Sequence, residues 1–477
     1  MVDVFNKIES SSIISKISYI SNNKKKTYED ILIKLRLVKK VLNQEKIKLR
    51  RIGILLDQGF SYGAVLTAVP LSDNVGVLLS KKWKSFENIK VINSSEVDYI
   101  ITDQPFINNF KTNLVRKIDN LFLLKTAKNS YDLSKKNDAI IIYSSGTTGS
   151  SKGVVLTKNS ISNNVISVSK YLKLNSRDVS LIYTPTCYAF SLSQTLTHLY
   201  SNACLIPFEK IIFPQEILNN IKVHKVTGLT GPPASFELLC NISKKNYNSI
   251  RYAQVGGTPF AKDLALKIKK IFPKSKILNV YGCSENSPRV SYYYLNNKNL
   301  NLGLDEQGYY CIGKSVGGTT IKIKKEKKKI YGEILVKGNS LMDRYWKNKA
   351  LTKKKFENGY FKTGDIGFFK NNNLYLVGRK DFIINVGNEK VSPEEVENII
   401  NNNKNILSSV VYRKKNNVYG SVVVADIVLR KKINKNKILS YLHDYLSNFK
   451  IPKEINFVKK IKKNLYGKID RKYYEKK

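Results

Sequence analysis

Apolar residues recur at helical spacing from Thr27 to Leu42, where Tyr28, Ile31, Leu32, Leu35, Val38 and Leu42 share one face and Thr27 stands where an N-cap belongs. Ile52 to Leu56 is a continuous apolar run, as expected of a buried strand. Helical and strand-like segments alternate to about residue 290, which predicts an α/β domain of mostly parallel sheet. From about 303 to 378 the texture changes to short strands and turns, among them Thr319 to Ile323, Ile334 to Lys337 and Leu374 to Val377. A β-rich subdomain is expected there. After Gly378 and Arg379 the pattern predicts a compact α+β unit. Ser392-Pro-Glu-Glu395 reads as a capping box with Pro at the first helical position, opening a helix whose Val396, Ile399 and Ile400 face inward. Val410 to Arg413 and Tyr419 to Leu429 pattern as a hairpin around Asn416-Asn417. Ile438, Tyr441, Leu442, Tyr445 and Leu446 mark a final amphipathic helix. These patterns divide the chain into a large N-terminal domain (1–378) and a small C-terminal one (381–477), with a hinge near 379–381.

The segment with the most chemistry is Tyr143 to Thr157, YSSGTTGSSKGVVLT, which follows the apolar run Ala139 to Ile142. Small residues let backbone N–H groups close around a polyanion, hydroxyls add donors, and Lys152 adds a point charge. It reads as a phosphate cradle, against the alternative of a flexible Ser/Gly surface loop. A Walker-type P-loop needs glycine directly before its lysine, then Ser or Thr opening a helix. Here Ser151 precedes Lys152, Gly153 follows it, and Val154, Val155 and Leu156 are β-formers. The loop is therefore expected to join two strands.

Composition narrows the possibilities. At 477 residues the chain exceeds one core, and 42% apolar content is ample for burial. No apolar run reaches the roughly 18 residues of a membrane span, and the first residues lack the basic and apolar regions of a secretory signal. A cytoplasmic protein is expected. The five cysteines and three histidines are scattered without metal-ligand or disulfide spacing. Net charge is +45, which raises the question of a nucleic-acid or membrane partner. The excess is mainly lysine in short runs such as Lys24 to Lys26, Lys327 to Lys329 and Lys353 to Lys355, amid abundant Asn, Ile and Tyr. AT-rich codon bias accounts for that composition, so no dedicated nucleic-acid binding is expected.

YSSGTTGSSKGV resembles the phosphate-binding signature of the AMP-forming adenylation superfamily, which includes acyl-CoA synthetases, peptide-synthetase adenylation domains and luciferases. Four further segments follow in the family's order. Gln254 to Pro259 resembles the segment lining the adenine pocket. Tyr281-Gly-Cys-Ser-Glu285 is similar to the YGxTE motif, Thr363-Gly-Asp365 to the TGD motif, with Gly378-Arg379-Lys380-Asp381 after it, and Gly467-Lys468-Ile-Asp-Arg471 to a C-terminal GK-x-D-R segment.

The resemblance implies ATP, Mg²⁺ and a carboxylic acid as reactants, and it implies roles for individual residues. Ser144, Ser145, Gly146, Thr147, Thr148, Gly149 and Lys152 would hold phosphates. Gly256, Gly257, Thr258 and Gly282 would lie near the nucleotide, with Tyr281 stacked on adenine. Ser284 would bond the α-phosphate, Glu285 would help hold Mg²⁺, and Asp365 and Arg379 would contact the ribose. Lys468 would bridge the carboxylate and α-phosphate, Asp381 would serve as the hinge, and Gly387 would line a thiol tunnel.

Thr184 to Ser193 matches the family's acyl-pocket segment, placing Tyr188, Phe190 and Ser191 around the acid. Amino-acid-activating members carry FDxS there; this chain reads Phe190-Ser191-Leu192-Ser193. An ammonium buried beside a neutral hydroxyl would lack its charge partner, at a cost of several kcal/mol. An α-amino acid is therefore disfavoured. Six residues follow Arg471, so no fused carrier domain is expected, and the thiol comes in trans from CoA or from the phosphopantetheine of a separate carrier protein. Fatty, aryl and hydroxy acids all stay open, and a non-catalytic binding protein is the remote alternative.

Overall fold

The apolar stripe after Thr27 forms the helix Tyr28–Gln44 in a computed structural model of the chain. The structure describes residues 3–21, 24–107, 110–127, 133–144, 152–208, 214–306, 308–325, 330–386, 389–416, 420–463 and 469–475. Thr27 accepts from the Asp30 amide while the Asp30 carboxylate accepts from the Thr27 amide, so two orphan donors are satisfied at once. Tyr28, Ile31, Leu35 and Leu42 are fully buried on the inward face.

Two large sheets make up most of the first part of the chain. In one, Lys276–Gly282, Tyr252–Gly256, Gly228–Gly231, Val179–Ile182, Cys204–Pro207 and Ile17–Ser21 lie side by side in parallel. Antiparallel strands close both margins, Lys24–Thr27 at one and Arg289–Tyr294 followed by Lys314–Ser315 at the other. The second sheet is parallel only at its centre, where Asp138–Ser144, Val75–Leu78, Arg51–Leu55 and Tyr99–Thr102 adjoin. Its margins are antiparallel because hairpins, unlike parallel neighbours, need no helical crossover. The predicted α/β class holds, with the parallel character concentrated in the first sheet.

The β-rich texture after 303 becomes an antiparallel sheet of Thr319–Lys325, Gly332–Gly338, Tyr360–Lys370, Phe356–Glu357 and Asn373–Arg379. Arg344–Tyr345 leaves that sheet and pairs instead with Val154 and Val155, beside Lys152. After the short turn Lys380–Phe382 the chain builds a separate core from residues such as Ile384, Val396, Ile400, Val423 and Ile438. Ile406–Asn416 and Gly420–Leu429 form the expected hairpin, joined in parallel by Glu454–Phe457. The tip, 417–419, lies outside the described residues.

Two local expectations need correction. Ser392 caps Pro393–Asn401 and accepts from the Glu395 amide, but the capping box is not completed, because the Glu395 carboxylate turns to Lys450 Nζ at 2.5 Å. An ion pair outcompetes the neutral backbone donor. The helix marked by Ile438 ends at His443, so Tyr445 lies beyond it, 63% exposed and tilted against the Tyr441 ring, and Arg471–Glu475 forms a later helix.

Candidate active site

The proposed phosphate loop is held by two antiparallel strands, Asp138–Ser144 and Lys152–Thr157, with Ser144 opposite Lys152. A strand rather than a helix follows Lys152, which removes the P-loop alternative. Ser145, Gly146, Thr147, Thr148 and Gly149 lie outside the described residues, as do Gly387 and Lys468. Ser144 ends its strand.

Lys152 is half-buried, with Nζ 5.8 Å from the centre of the Tyr345 ring. Burial first, and the Lys355 charge second, hold its ammonium below the ordinary lysine range, while Glu285 and Asp381 act the other way. The Tyr345 hydroxyl donates to Glu285 Oε1 at 2.7 Å. Burial pushes that phenol far up, so it stays a donor. Glu285 sits in the turn Ser284–Asn286, and its carbonyl accepts from the Met342 amide at 2.7 Å. Three remote segments thus meet at one ring.

A second chain of contacts runs beside it. The Tyr281 hydroxyl donates to Asp365 Oδ2, and Arg379 donates to Asp365 Oδ1 at 2.7 Å and to the Thr363 carbonyl at 3.2 Å. Burial and the Asp365 charge keep the Tyr281 phenol well above its usual range. Burial opposes the Arg379 charge, but Asp365 outweighs it and holds the guanidinium firmly protonated. Arg379 also lies 3.8 Å from Asp381. Between Thr363 and Asp365 the chain turns through Gly364 at φ 79°, where a side chain would be strained and would stand 3.1 Å from Arg379 Nη2.

The glycines of the segment expected to line the adenine pocket, with Gly282, divide by role. Gly256 ends a buried strand, and a Cβ there would stand 2.5 Å from the Val280 carbonyl oxygen, so strand packing demands it. Gly257, at φ 95°, faces open space, as does exposed Thr258 beside it. Gly282 is required by the Pro288 carbonyl, 1.8 Å from where a Cβ would be. Ser284 is half-buried next to Glu285.

In the expected acyl-pocket segment, Tyr188 is the N-cap residue of the helix Ala189–Tyr200. Phe190 is half-buried with the Arg289 guanidinium 4.0 Å over its ring. Ser191 is fully buried and its hydroxyl accepts from Gln58 Nε2.

Arg471, three residues beyond Lys468, is held on two sides. Arg471 forms a fork with Glu397, at 2.7 Å and 3.0 Å, and lies 3.3 Å from Glu394. Its guanidinium stands 5.3 Å from the Phe382 ring in the turn that follows Arg379.

Glu285 fits a hard divalent cation: Tyr345 takes one carboxylate oxygen, and the other has no partner among the described residues. No cluster of three or more His, Cys, Asp or Glu exists among them. Magnesium commonly needs only one or two carboxylates because phosphates supply the rest.

Sequence reasoning missed Tyr345 and Lys355. Nothing in Arg344-Tyr345-Trp346 distinguishes a buried hydroxyl from a packing aromatic. Lys355 belongs to a run whose other members are exposed, yet it turns inward and acts on Lys152.

This combination of an α/β body, a β-rich sheet, a small α+β unit and a site of lysine, glutamate and aspartate matches a known class. The AMP-binding enzyme family model covers residues 12–346, and that of the AMP-binding enzyme C-terminal domain covers 395–468. The chain belongs to the AMP-binding enzyme family. Among relatives, it is 26% identical to the 2-succinylbenzoate–CoA ligase of Bacillus licheniformis over 83% of both chains. It is likewise 26% identical to the oxalate–CoA ligase of Saccharomyces cerevisiae, over 76% of this chain and 68% of that one. Its fold is similar to that of o-succinylbenzoate CoA synthetase from Bacillus subtilis, solved with the acyl-adenylate intermediate, with a TM-score of 0.85, 21% identity, and 99% and 98% of the two chains covered. No helix among the described residues is long and apolar enough to cross a membrane.

Proposed function

We propose that the chain is an AMP-forming acid–CoA ligase. A carboxylate oxygen of the acid attacks the α-phosphorus of ATP, forming an acyl-phosphate bond as the bond to pyrophosphate breaks. A pantetheine thiol then attacks the acyl carbon, loses its proton, and expels AMP. The observation that supports this best is the Tyr345 ring, which gathers Lys152 and Glu285 from segments remote in sequence.

In this reading Lys152 steadies the departing phosphates, together with Ser144, Ser145, Gly146, Thr147, Thr148 and Gly149. Glu285, with its free oxygen, would hold magnesium, which when bound neutralises phosphate charge. Tyr281 and Arg379 fix the Asp365 carboxylate so that its remaining lone pairs face the ribose. Gly257 and Thr258 border the open space left for the base. Lys468 offsets the charge shared by carboxylate and α-phosphate, and Arg471 positions the segment that carries it. CoA as acceptor agrees with the names of the relatives. The net charge of +45 favours a second reading in which an acidic carrier protein delivers the thiol. The reading is of a cytoplasmic enzyme without dedicated nucleic-acid binding.

Lys468→Ala is expected to lower ATP–pyrophosphate exchange by at least about a hundredfold, the scale of losing one preorganised charge at the transition state. Nucleotide binding and fold should persist, and near-normal exchange would refute the assignment. The hinge role of Asp381 predicts that Asp381→Pro spares the exchange and impairs thioester formation, measured with CoA; equal loss of both steps would contradict it.

A further inference from the structure

Arg289 opens the strand Arg289–Tyr294, opposite Gly282 and five residues beyond Ser284, so it shares one strand–turn–strand unit with Tyr281 and Glu285. Its backbone is pinned by Asn164 and Asn286, whose side-chain amides both donate to its carbonyl. The side chain is 3% exposed and lies on Phe190, and its Nε has no acceptor among the described residues. No carboxylate stands within ion-pair distance of it among the described residues. Tyr171 is the polar group that acts on it, and the Tyr171 hydroxyl proton is already given to Gln254 Oε1 at 2.7 Å.

The molecule supplies its own controls. Each of the other described arginines that lies over a ring also holds a carboxylate: Arg51 with Asp98 at 3.3 Å, Arg251 with Asp178 at 2.5 Å, Arg344 with Asp138 at 2.7 Å and Arg471 with Glu397 at 2.7 Å. Ring stacking alone is therefore not how this chain satisfies a guanidinium. A buried unpaired cation costs several kcal/mol, and arginine cannot escape by losing its proton. With 82 basic residues against 37 acidic ones, a further buried positive charge has no electrostatic benefit to the free protein. A Met would fill the same volume without that penalty. The described residues supply no counter-ion for it.

We propose that Arg289 receives a second carboxylate of the acid substrate, so that the acid activated is a dicarboxylic acid with one carboxylate reacting and the other paired with the guanidinium. This rests on the adenylating reading above and adds the substrate class. A planar fork suits a carboxylate, and the Phe190 ring holds the fork's plane while shielding the pair from water. An ammonium-bearing acid would be repelled at the same place.

The test compares dicarboxylic acids from malonate to suberate, and 2-succinylbenzoate, with the neutral partner of each in which the second carboxylate is a methyl ester. ATP–pyrophosphate exchange reads turnover, and calorimetric binding of the sulfamoyladenosine conjugates of the same acids reads recognition without turnover. The wild-type chain is expected to prefer the best diacid over its ester by at least about tenfold in both measurements. Arg289→Met should erase that preference while keeping or improving the ester, and Arg289→Lys should retain part of it. Esters accepted as well as diacids by the wild type, or diacid and ester lost equally in Arg289→Met, would overturn the role of Arg289 and leave adenylation standing. No exchange and no binding of any conjugate would remove the adenylating reading, and this inference with it.

Discussion

Arg471 in the small unit and Arg289 in the large one both rest on an aromatic ring, at 5.3 Å from Phe382 and 4.0 Å from Phe190. The less buried of the two, Arg471, has two glutamates, and the more buried has none among the described residues. The first arrangement ties the turn after Arg379 to the segment ending in Arg471 and serves shape. The second costs the free protein stability, which makes sense for a group kept for a ligand. A buried charge thus reads as structural or functional according to whether the chain itself completes it.

The largest expected effect separates the two arginines directly. Arg471→Met leaves Glu397 and Glu394 as buried carboxylates without their cation, and is expected to destabilise the small unit by about 3–5 kcal/mol. Arg289→Met strands no carboxylate and removes an unpaired buried charge, so the large unit should gain about 1–4 kcal/mol. Native-state hydrogen exchange, which resolves the units, checks both, and equal losses would erase the contrast.

A smaller effect sharpens it through pH. His198 is buried in the large unit, donating from Nδ1 to the Gln194 carbonyl at 2.7 Å and accepting at Nε2 from the Tyr252 hydroxyl at 3.0 Å, so its neutral form is the one the fold satisfies. Burial brings its pKa down from 6.5 to about 4. Its contribution is present above pH 6.5 and is lost as pH falls toward 4, at most about 3 kcal/mol. In the small unit Glu397 is instead fixed as a carboxylate, accepting twice from Arg471 and once from the Val411 amide. Region-resolved exchange from pH 4 to 7 should therefore show the large unit strengthening, with a slope that His198→Gln flattens, and an unchanged slope in that variant would contradict the assignment.

Much of this is legible in the sequence. The Thr27 cap and the stripe to Leu42, the strand on each side of the phosphate loop, and the β-rich run to Arg379 are local patterns, and local sterics and hydrogen bonding decide them. The failures are also local in origin but tertiary in cause. Ser392-Pro-Glu-Glu395 has capping-box spacing, yet Lys450, 55 residues downstream, takes the Glu395 carboxylate. Tyr445 continues an apolar stripe in the sequence, but the helix stops at His443, so Tyr445 is left exposed while Leu446 still reaches the core.

By itself the sequence determined the order of elements, the strand–loop–strand setting of Lys152, and the succession of Tyr281, Glu285, Asp365 and Arg379, because periodicity, turn chemistry and motif spacing act over neighbouring residues. Only the tertiary structure decided that Tyr345 leaves its own sheet to join Lys152 with Glu285, that Lys355 alone of its run turns inward, and that Arg289 is buried without a counter-ion. Burial and charge pairing are properties of segments that meet in space, and nothing in the spacing of residues along a lysine-rich chain distinguishes a solvated cation from one waiting for its anion.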